Sequence, residues 1–309
     1  MQAGKIRIGT RGSPLALAQA REVVAKLTKA HKLAEDACAI VVIKTTGDMI
    51  TNRPLIEASG KGLFTKELEE ALLAGSIDLA VHSMKDLPAL LPRGLTIAAV
   101  LEREDPHDAF VSVKYASLGE LPSGAVAGTS SPRRKAQVLR LRPDLKIVEF
   151  RGNVETRLRK LREGVADATF LACAGLNRLG MAQHVTEAMS IDRMLPAVAQ
   201  GAIGIETRAD DAETGALLAP LNDQETAVCI VAERAFLSKL EGSCRMPIAG
   251  HAELRNGAVH MIGEVLTPDG RQSFTVARTG PGQSAVRLGE EVAAELLTRA
   301  GPDFLRVPA

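Results

Sequence analysis

The chain has 309 residues with 46% hydrophobic content, enough for about two or three domains with cores of their own. Its net charge of +1, absence of Trp, single Tyr and seven Phe argue against a nucleic-acid partner, which calls for a basic surface and aromatic stacking platforms. The opening MQAGKIRIGTRGS lacks a signal-peptide h-region, and no apolar run nears the roughly 20 residues that span a bilayer, so a cytoplasmic protein with no membrane partner is expected.

In chain order, Lys5 to Gly9 alternates as a strand, and Thr10-Arg11-Gly12-Ser13-Pro14 opens a helical pattern through Leu15, Ala18, Val23 and Leu27. Ser13 is the expected N-cap and Pro14 the first helical residue. A strand at Ile40 to Lys44 leads to Thr46-Gly47-Asp48. Ser59-Gly60-Lys61-Gly62 precedes a helix from Phe64 to Leu73. Its spacing matches no P-loop, and it reads either as a mobile lid or as an ordinary connection.

The helix ends in Gly75-Ser76-Ile77-Asp78 and feeds the strand Leu79-Ala80-Val81. His82-Ser83-Met84-Lys85-Asp86-Leu87-Pro88 follows. Asp86 is thus a carboxylate at the C-terminal end of a buried strand, among cations. An ionised aspartate stabilises developing positive charge better than it donates a proton; a turn-capping Asp paired with Lys85 is the other reading. His82 reads as a packed or hydrogen-bonded residue.

The same order then returns. Ala125 to Gly128 reads as a strand, Thr129-Ser130-Ser131-Pro132 opens a helix carrying Arg133, Arg134, Ala136 and Gln137, Ile147 to Phe150 leads to Arg151-Gly152-Asn153, and Gly164-Val165-Ala166-Asp167 feeds the strand Ala168 to Leu171. Two similar doubly wound α/β lobes with mainly parallel sheets follow from this alternation, and ligands of such sheets bind beyond the carboxyl ends of the strands. A helix from Thr226 to Glu241, hairpins at Arg255-Asn256-Gly257 and Pro268-Asp269-Gly270, and a helix from Ser284 to Arg299 form a small α+β C-terminal domain. The expected boundaries are 1–101 with 200–219 for the first lobe, 102–199 for the second and 220–309 for the third domain.

Basicity is concentrated between Ser130 and Gly180, where twelve Lys or Arg face five Asp or Glu; nine of the twelve are Arg. A guanidinium binds a carboxylate through two parallel hydrogen bonds where an ammonium cannot. Arg133 and Arg134 stand in the first turn of a helix, where cations oppose the macrodipole unless an anion joins them. The alternative is a solvated basic face, which suits Arg140, Arg142, Arg159 and Arg162 better.

Cys38, Cys173, Cys229 and Cys244 are scattered, with no C-x-x-C and no His at ligand spacing, so neither a disulfide framework nor a metal site is expected. Cys244, on a loop beside Arg245, is placed to be reactive, although cysteines more often serve as inert hydrophobes.

Taken together and in order, RGSPLALAQ from Arg11, GKGLF from Gly60, VHSMKD from Val81, GTSS from Gly128, Arg133-Arg134, FRGNV from Phe150 and the Cys244 loop resemble the porphobilinogen deaminase (hydroxymethylbilane synthase) family over essentially the whole chain. The resemblance implies a transferase that polymerises four porphobilinogen molecules, with loss of four ammonia, into the linear tetrapyrrole hydroxymethylbilane. The chain grows on a dipyrromethane cofactor joined to Cys244 by a thioether. The resemblance makes Asp86 the catalytic carboxylate. It gives Ser13, Lys85, Thr129, Ser131, Arg133, Arg134 and Arg151 to the cofactor, Arg11, Arg157 and Arg178 to the substrate, and Lys61 to a lid. Gln200 lies in the crossover back to the first lobe, and a monomer is implied.

Arg134→Leu and Arg151→Leu are expected to fold yet stall. Ala199 stands where the family usually has Gly in P-A-V-G-Q-G, which bears on the flexibility of that crossover. The competing reading is a two-lobed carboxylate-binding protein without catalysis, since lobes of this kind resemble periplasmic-binding-protein domains; it assigns nothing to Cys244 or the third domain. A nucleic-acid stripe from Arg133 to Arg162 would show binding that falls steeply with salt.

Overall fold

A computed structural model describes residues 5–34, 36–49, 62–240, 247–301 and 304. Two five-stranded sheets repeat one plan. The first contains β1 (Ile6–Thr10), β2 (Cys38–Val42), β3 (Leu79–Ser83), β4 (Leu95–Val100) and a late strand, β10 (Ile203–Arg208), in the order β2-β1-β3-β10-β4. The second contains β5 (Asp108–Ser112), β6 (Val126–Gly128), β7 (Lys146–Val148), β8 (Ala168–Ala172) and β9 (Glu187–Met189), in the order β7-β6-β8-β5-β9. In both, four strands run the same way and one, β10 in the first and β5 in the second, runs antiparallel to its two neighbours. The sheets are therefore mainly parallel in strand direction, as expected, with one reversed strand in each. The odd strand in each is the one the chain lays down just after a crossover between sheets, β5 after residues 101–107 and β10 after 190–202, so it enters from the opposite end.

The repeat read from sequence is present in atomic detail. Helix α1 (Pro14–His31) starts with Ser13 accepting from Ala16 N, and α4 (Pro132–Leu141) starts with Ser131 accepting from Arg134 N, each with proline in the first turn. A short turn of helix, α2 (Thr46–Met49), follows β2, and α5 (Val154–Arg162) follows β7 with Asn153 as its N-cap. Helix α3 begins at Lys66 and runs to Leu73, two residues later than the hydrophobic pattern suggests, because Leu63 to Thr65 form a turn. Helix α6 (Cys173–Arg178) follows β8 directly.

Both sheets are covered on two faces. Ala20, Val23 and Leu27 of α1 pack on one side of the first sheet, and Leu68 and Leu72 of α3 on the other. In the second sheet, Val138 of α4 lies on one side and Leu158, Leu161 and Leu176 on the other. Phe110, Phe150, Phe170 and Phe236 are fully buried, so half of the eight aromatics serve cores.

The remaining chain passes through α7 (Ala212–Leu218) and α8 (Gln224–Lys239) to an antiparallel meander, β11 (Ile248–Arg255), β12 (Ala258–Leu266) and β13 (Ser273–Pro281), closed by α9 (Ala285–Ala300). Asn256 and Gly257 both take positive φ, 52° and 77°, as a two-residue hairpin turn requires. Helices α8 and α9 touch at Gly289, where a Cβ would stand 2.1 Å from the Ala232 carbonyl. By backbone contacts, residues 1–103 with 202–227 form one compact unit, and 104–201 with 228–309 another.

Candidate functional site

In the first unit, a solvent-open pocket of about 380 Å³ lies beyond the carboxyl ends of β1 and β3, lined in part by Arg11, Ser13, Gln19, Phe64, His82 and Asp86. Asp86 ends a single 3₁₀ turn, Met84–Asp86, that follows β3 at once. That turn is pinned: Met84 is buried, and a Cβ at Gly204 would meet its sulfur at 2.0 Å. The Asp86 carboxylate therefore stands at the rim, 36% exposed, with Arg11 Nη1 3.8 Å away. Lys85 beside it is exposed.

Arg11 is held from three sides. Its guanidinium donates to Asp48 at 2.5 and 3.2 Å and lies 4.2 Å from the Phe64 ring centroid, a cation–π distance. Burial pushes the Asp48 carboxyl up, but Arg11 and Thr45 outweigh it and hold it below the usual range. Gln19 and Ser83 exchange hydrogen bonds at 2.8 and 3.0 Å. His82 is buried and bonds Glu206 at 3.0 Å, as expected of a packed histidine. Nearby, Glu69 is raised, first by burial and also by Glu206.

The second unit holds the arginines. Thr129, buried, accepts from Ser131 N at 3.2 Å, tightening the entry to α4. Arg133 and Arg134 are 5% and 6% exposed, so they are neither a solvated face nor a simple open anion site. Their counter-ion is Asp108, fully buried at the start of β5. Arg133 Nη1 donates to its Oδ2 at 2.7 Å; Arg134 Nε and Nη2 donate to Oδ1 at 2.9 and 2.6 Å. Arg134 Nη1 also donates to the Phe170 carbonyl at 2.8 Å, so each of its nitrogens already holds a protein oxygen. All of the described bonds of Arg133 run through Nη1. Gln200 Nε2, from the crossover, reaches Asp108 Oδ1 at 3.2 Å.

Arg151 and Arg157 flank the start of α5, both half-buried, and Arg157 Nε donates to the Gly152 carbonyl at 2.8 Å. Burial, followed by repulsion from Arg134 and Arg151, brings Arg157 down to about 10. Arg151 and Arg134 are thus close enough to Arg157 to disfavour its charge. Arg178 is the last residue of α6, the short helix that follows β8.

Among the remaining basic residues, Arg159 pairs with Glu163 at the surface, whereas Arg140 pairs with the buried Glu264 and is no solvated side chain. Cys173 is buried, and burial with Asp105 and Asp108 pushes its thiol up to about 12, which rules it out as a nucleophile at neutral pH. Cys244 and Lys61 lie outside the described residues. No group of three or more metal-ligating side chains occurs among the described residues, and no helix there is long and apolar enough to cross a membrane.

Sequence reasoning missed Asp108 and passed over Asp48 and Phe64 as partners of Arg11. Asp48 and Phe64 belong to quoted motifs, so a signal was present. Asp108 carries none: an aspartate opening a strand looks like a turn residue until the fold buries it.

Residues 6–216 match the family model described as "Porphobilinogen deaminase, dipyromethane cofactor binding domain", and residues 227–298 match "Porphobilinogen deaminase, C-terminal domain". A protein of Paracoccus denitrificans named porphobilinogen deaminase is 58% identical over 97% of this chain and 96% of its own. A chloroplastic porphobilinogen deaminase of Pisum sativum is 54% identical over 97% of this chain and 83% of its own. Among solved structures, the methionine-binding protein MetQ is 17% identical, covering 70% of this chain and 89% of its own, with a TM-score of 0.46. The ordered motifs, the two matching models and the near full-length identity place this chain in the porphobilinogen deaminase family.

Proposed function

We propose that this chain joins four porphobilinogen molecules head to tail, expelling one ammonia from each, and releases hydroxymethylbilane. The observation that carries the reading is the match of residues 6–216 and 227–298 to the two porphobilinogen deaminase domain models, and the placing of Arg151 and Arg157 about the start of α5 suits an anionic ligand. Like charges held together in a half-dry setting are completed by an anion, and every pyrrole of this product carries two carboxylates. The family's dipyrromethane fits the same donor set.

When bound, the dipyrromethane supplies the primer from which the chain grows, held through Cys244 Sγ. We assign Ser13, Lys85, Thr129, Ser131, Arg133, Arg134 and Arg151 to its carboxylates, Arg11, Arg157 and Arg178 to those of the substrate, and Lys61 to a covering lid. Arg134 contributes chiefly as fixed charge, because its nitrogens are engaged by Asp108 and Phe170. Asp86, at the rim and partly solvated, stabilises the positive charge that develops on a pyrrole as ammonia departs. The Phe64 ring and Asp48 hold Arg11 beside it. The same reading takes the protein as a cytoplasmic monomer working on a small molecule, without nucleic-acid or membrane partners.

A carboxylate-binding protein without catalysis accounts for the arginines but not for the matched C-terminal domain. The deciding experiment is the intact mass of denatured wild type beside Cys244→Ser. A wild-type excess of two porphobilinogen units less two ammonia, absent from the variant, is expected. An unmodified wild type that adds no pyrroles on incubation with porphobilinogen would sink the reading.

A further inference from the structure

Helix α4 presents Arg133 and Arg134 at its start, and its flank is gripped by the C-terminal sheet. Gln137, one turn beyond Arg133, donates from Nε2 to Glu264 Oε2 on β12 at 2.8 Å and accepts at Oε1 from Arg133 Nη1 at 3.0 Å. Arg133 Nη1 continues to Asp108 at 2.7 Å. A further turn along α4, Arg140 pairs with the second oxygen of Glu264. Asp108, Arg133, Gln137 and Glu264 are all at most 5% exposed, so no water competes for these bonds.

The chain of bonds has a direction. A carboxylate and a carbonyl only accept, so Glu264, together with the Leu195 carbonyl at 3.0 Å, takes the NH₂ end of the Gln137 amide and turns its carbonyl end toward Arg133. Packing enforces the contact: Gly270, in the turn between β12 and β13, lies so close to α4 that a Cβ there would stand 2.2 Å from the Ala136 carbonyl.

We propose that Glu264 is a positioning residue for the carboxylate anchors, orienting the Arg133 guanidinium through Gln137, so that the C-terminal domain sets how the second lobe holds pyrrole carboxylates. The proposal rests on Arg133 being such an anchor. It gives the third sheet a part in binding that is separate from presenting Cys244.

The test uses the holoenzyme with porphobilinogen, comparing wild type, Glu264→Ala, Glu264→Gln, Gln137→Met and Arg133→Lys by steady-state rates and by intact-mass spectra of enzyme-bound elongation stages. Glu264→Ala and Gln137→Met are expected to raise KM roughly fivefold to tenfold, as loss of part of a charge-assisted bond implies, with kcat changed less than about twofold. Both should accumulate the stage that Arg133→Lys accumulates. Glu264→Gln keeps an acceptor for Gln137 and should restore KM to within about twofold of wild type. If Glu264→Ala fails to fold, Gln137→Met carries the test, since it cuts the same chain and leaves the Arg140 pair intact. Wild-type KM and stages in the Glu264 and Gln137 variants beside an altered Arg133→Lys overturn the relay alone, whatever happens to Tm. Wild-type behaviour in Arg133→Lys overturns the anchor assignment and the relay with it.

Discussion

Arg134 grips Asp108 through a single carboxylate oxygen, with Nε at 2.9 Å and Nη2 at 2.6 Å, leaving the other oxygen to Arg133. Because Asp108 is fully buried, removing its charge strands two guanidinium groups in the interior. Asp108→Asn is expected to cost about 3–5 kcal/mol in urea denaturation. The same residue sets a pH dependence. Burial pushes its carboxyl up, but the two guanidinium groups outweigh that and hold it well below the usual range. Its stabilisation is then complete above the unfolded value of about 3.9 and is lost as pH falls toward the folded one. Acid titration of stability should show a decline below about pH 4 that is shallower in Asp108→Asn.

Arg134→Leu and Arg151→Leu separate fold from function, but not in the way the sequence implies. Arg134 is an interior counter-charge, so its loss should destabilise by about 3–5 kcal/mol and yield little folded protein. Arg151 is half-buried and should fold with wild-type Tm while failing to elongate fully. Full turnover by a folded Arg151→Leu in a porphobilinogen consumption assay would remove it from the site.

Asp86→Asn keeps shape and loses charge at the pocket rim. Turnover is expected to fall by roughly 10²–10³, the effect of removing one preorganised electrostatic partner. Stability should stay within about 0.5 kcal/mol, because the side chain is partly solvated. Single-turnover ammonia release measures the first, thermal unfolding the second.

Ala199 adopts φ 61° while buried, with its N–H donated to Glu233 Oε2 at 2.5 Å. A Cβ in that left-handed region costs about 1–2 kcal/mol, and glycine gives back about 0.5–1 kcal/mol of it through unfolded-state entropy. Ala199→Gly is expected to raise Tm slightly. A fall of several degrees would show that the alanine methyl contributes packing that outweighs the strain.

The doubled plan of the fold was legible because each lobe repeats local chemistry: Ser13-Pro14 and Ser131-Pro132 cap and start equivalent helices, and the Asn256-Gly257 turn names its own hairpin. Asp86 was legible for the same reason, standing at the end of an apolar strand. The burial of Arg133 and Arg134 was not. Their partner Asp108 is 25 and 26 residues away, and Glu264 lies 127 residues from Gln137. Pairing over such distances leaves no periodic trace, so arginines that look like open anion anchors turn out to be tied into the protein. The one reversed strand in each mainly parallel sheet escaped notice likewise, since a strand's direction depends on where its chain arrives from.

The placement of β10 inside the first sheet bears on how the molecule is made. The slot between β3 and β4 is filled by residues 203–208, about one hundred residues after β4 leaves the ribosome. Until then the nascent first lobe carries a gap lined by unpaired backbone, with the apolar Val81 and Ala99 beside it, and pairing across so long a loop is slow. Chains released before residue 208 are therefore the species most exposed to edge-to-edge association, and synthesis of this protein depends on the second lobe being finished before the first can close.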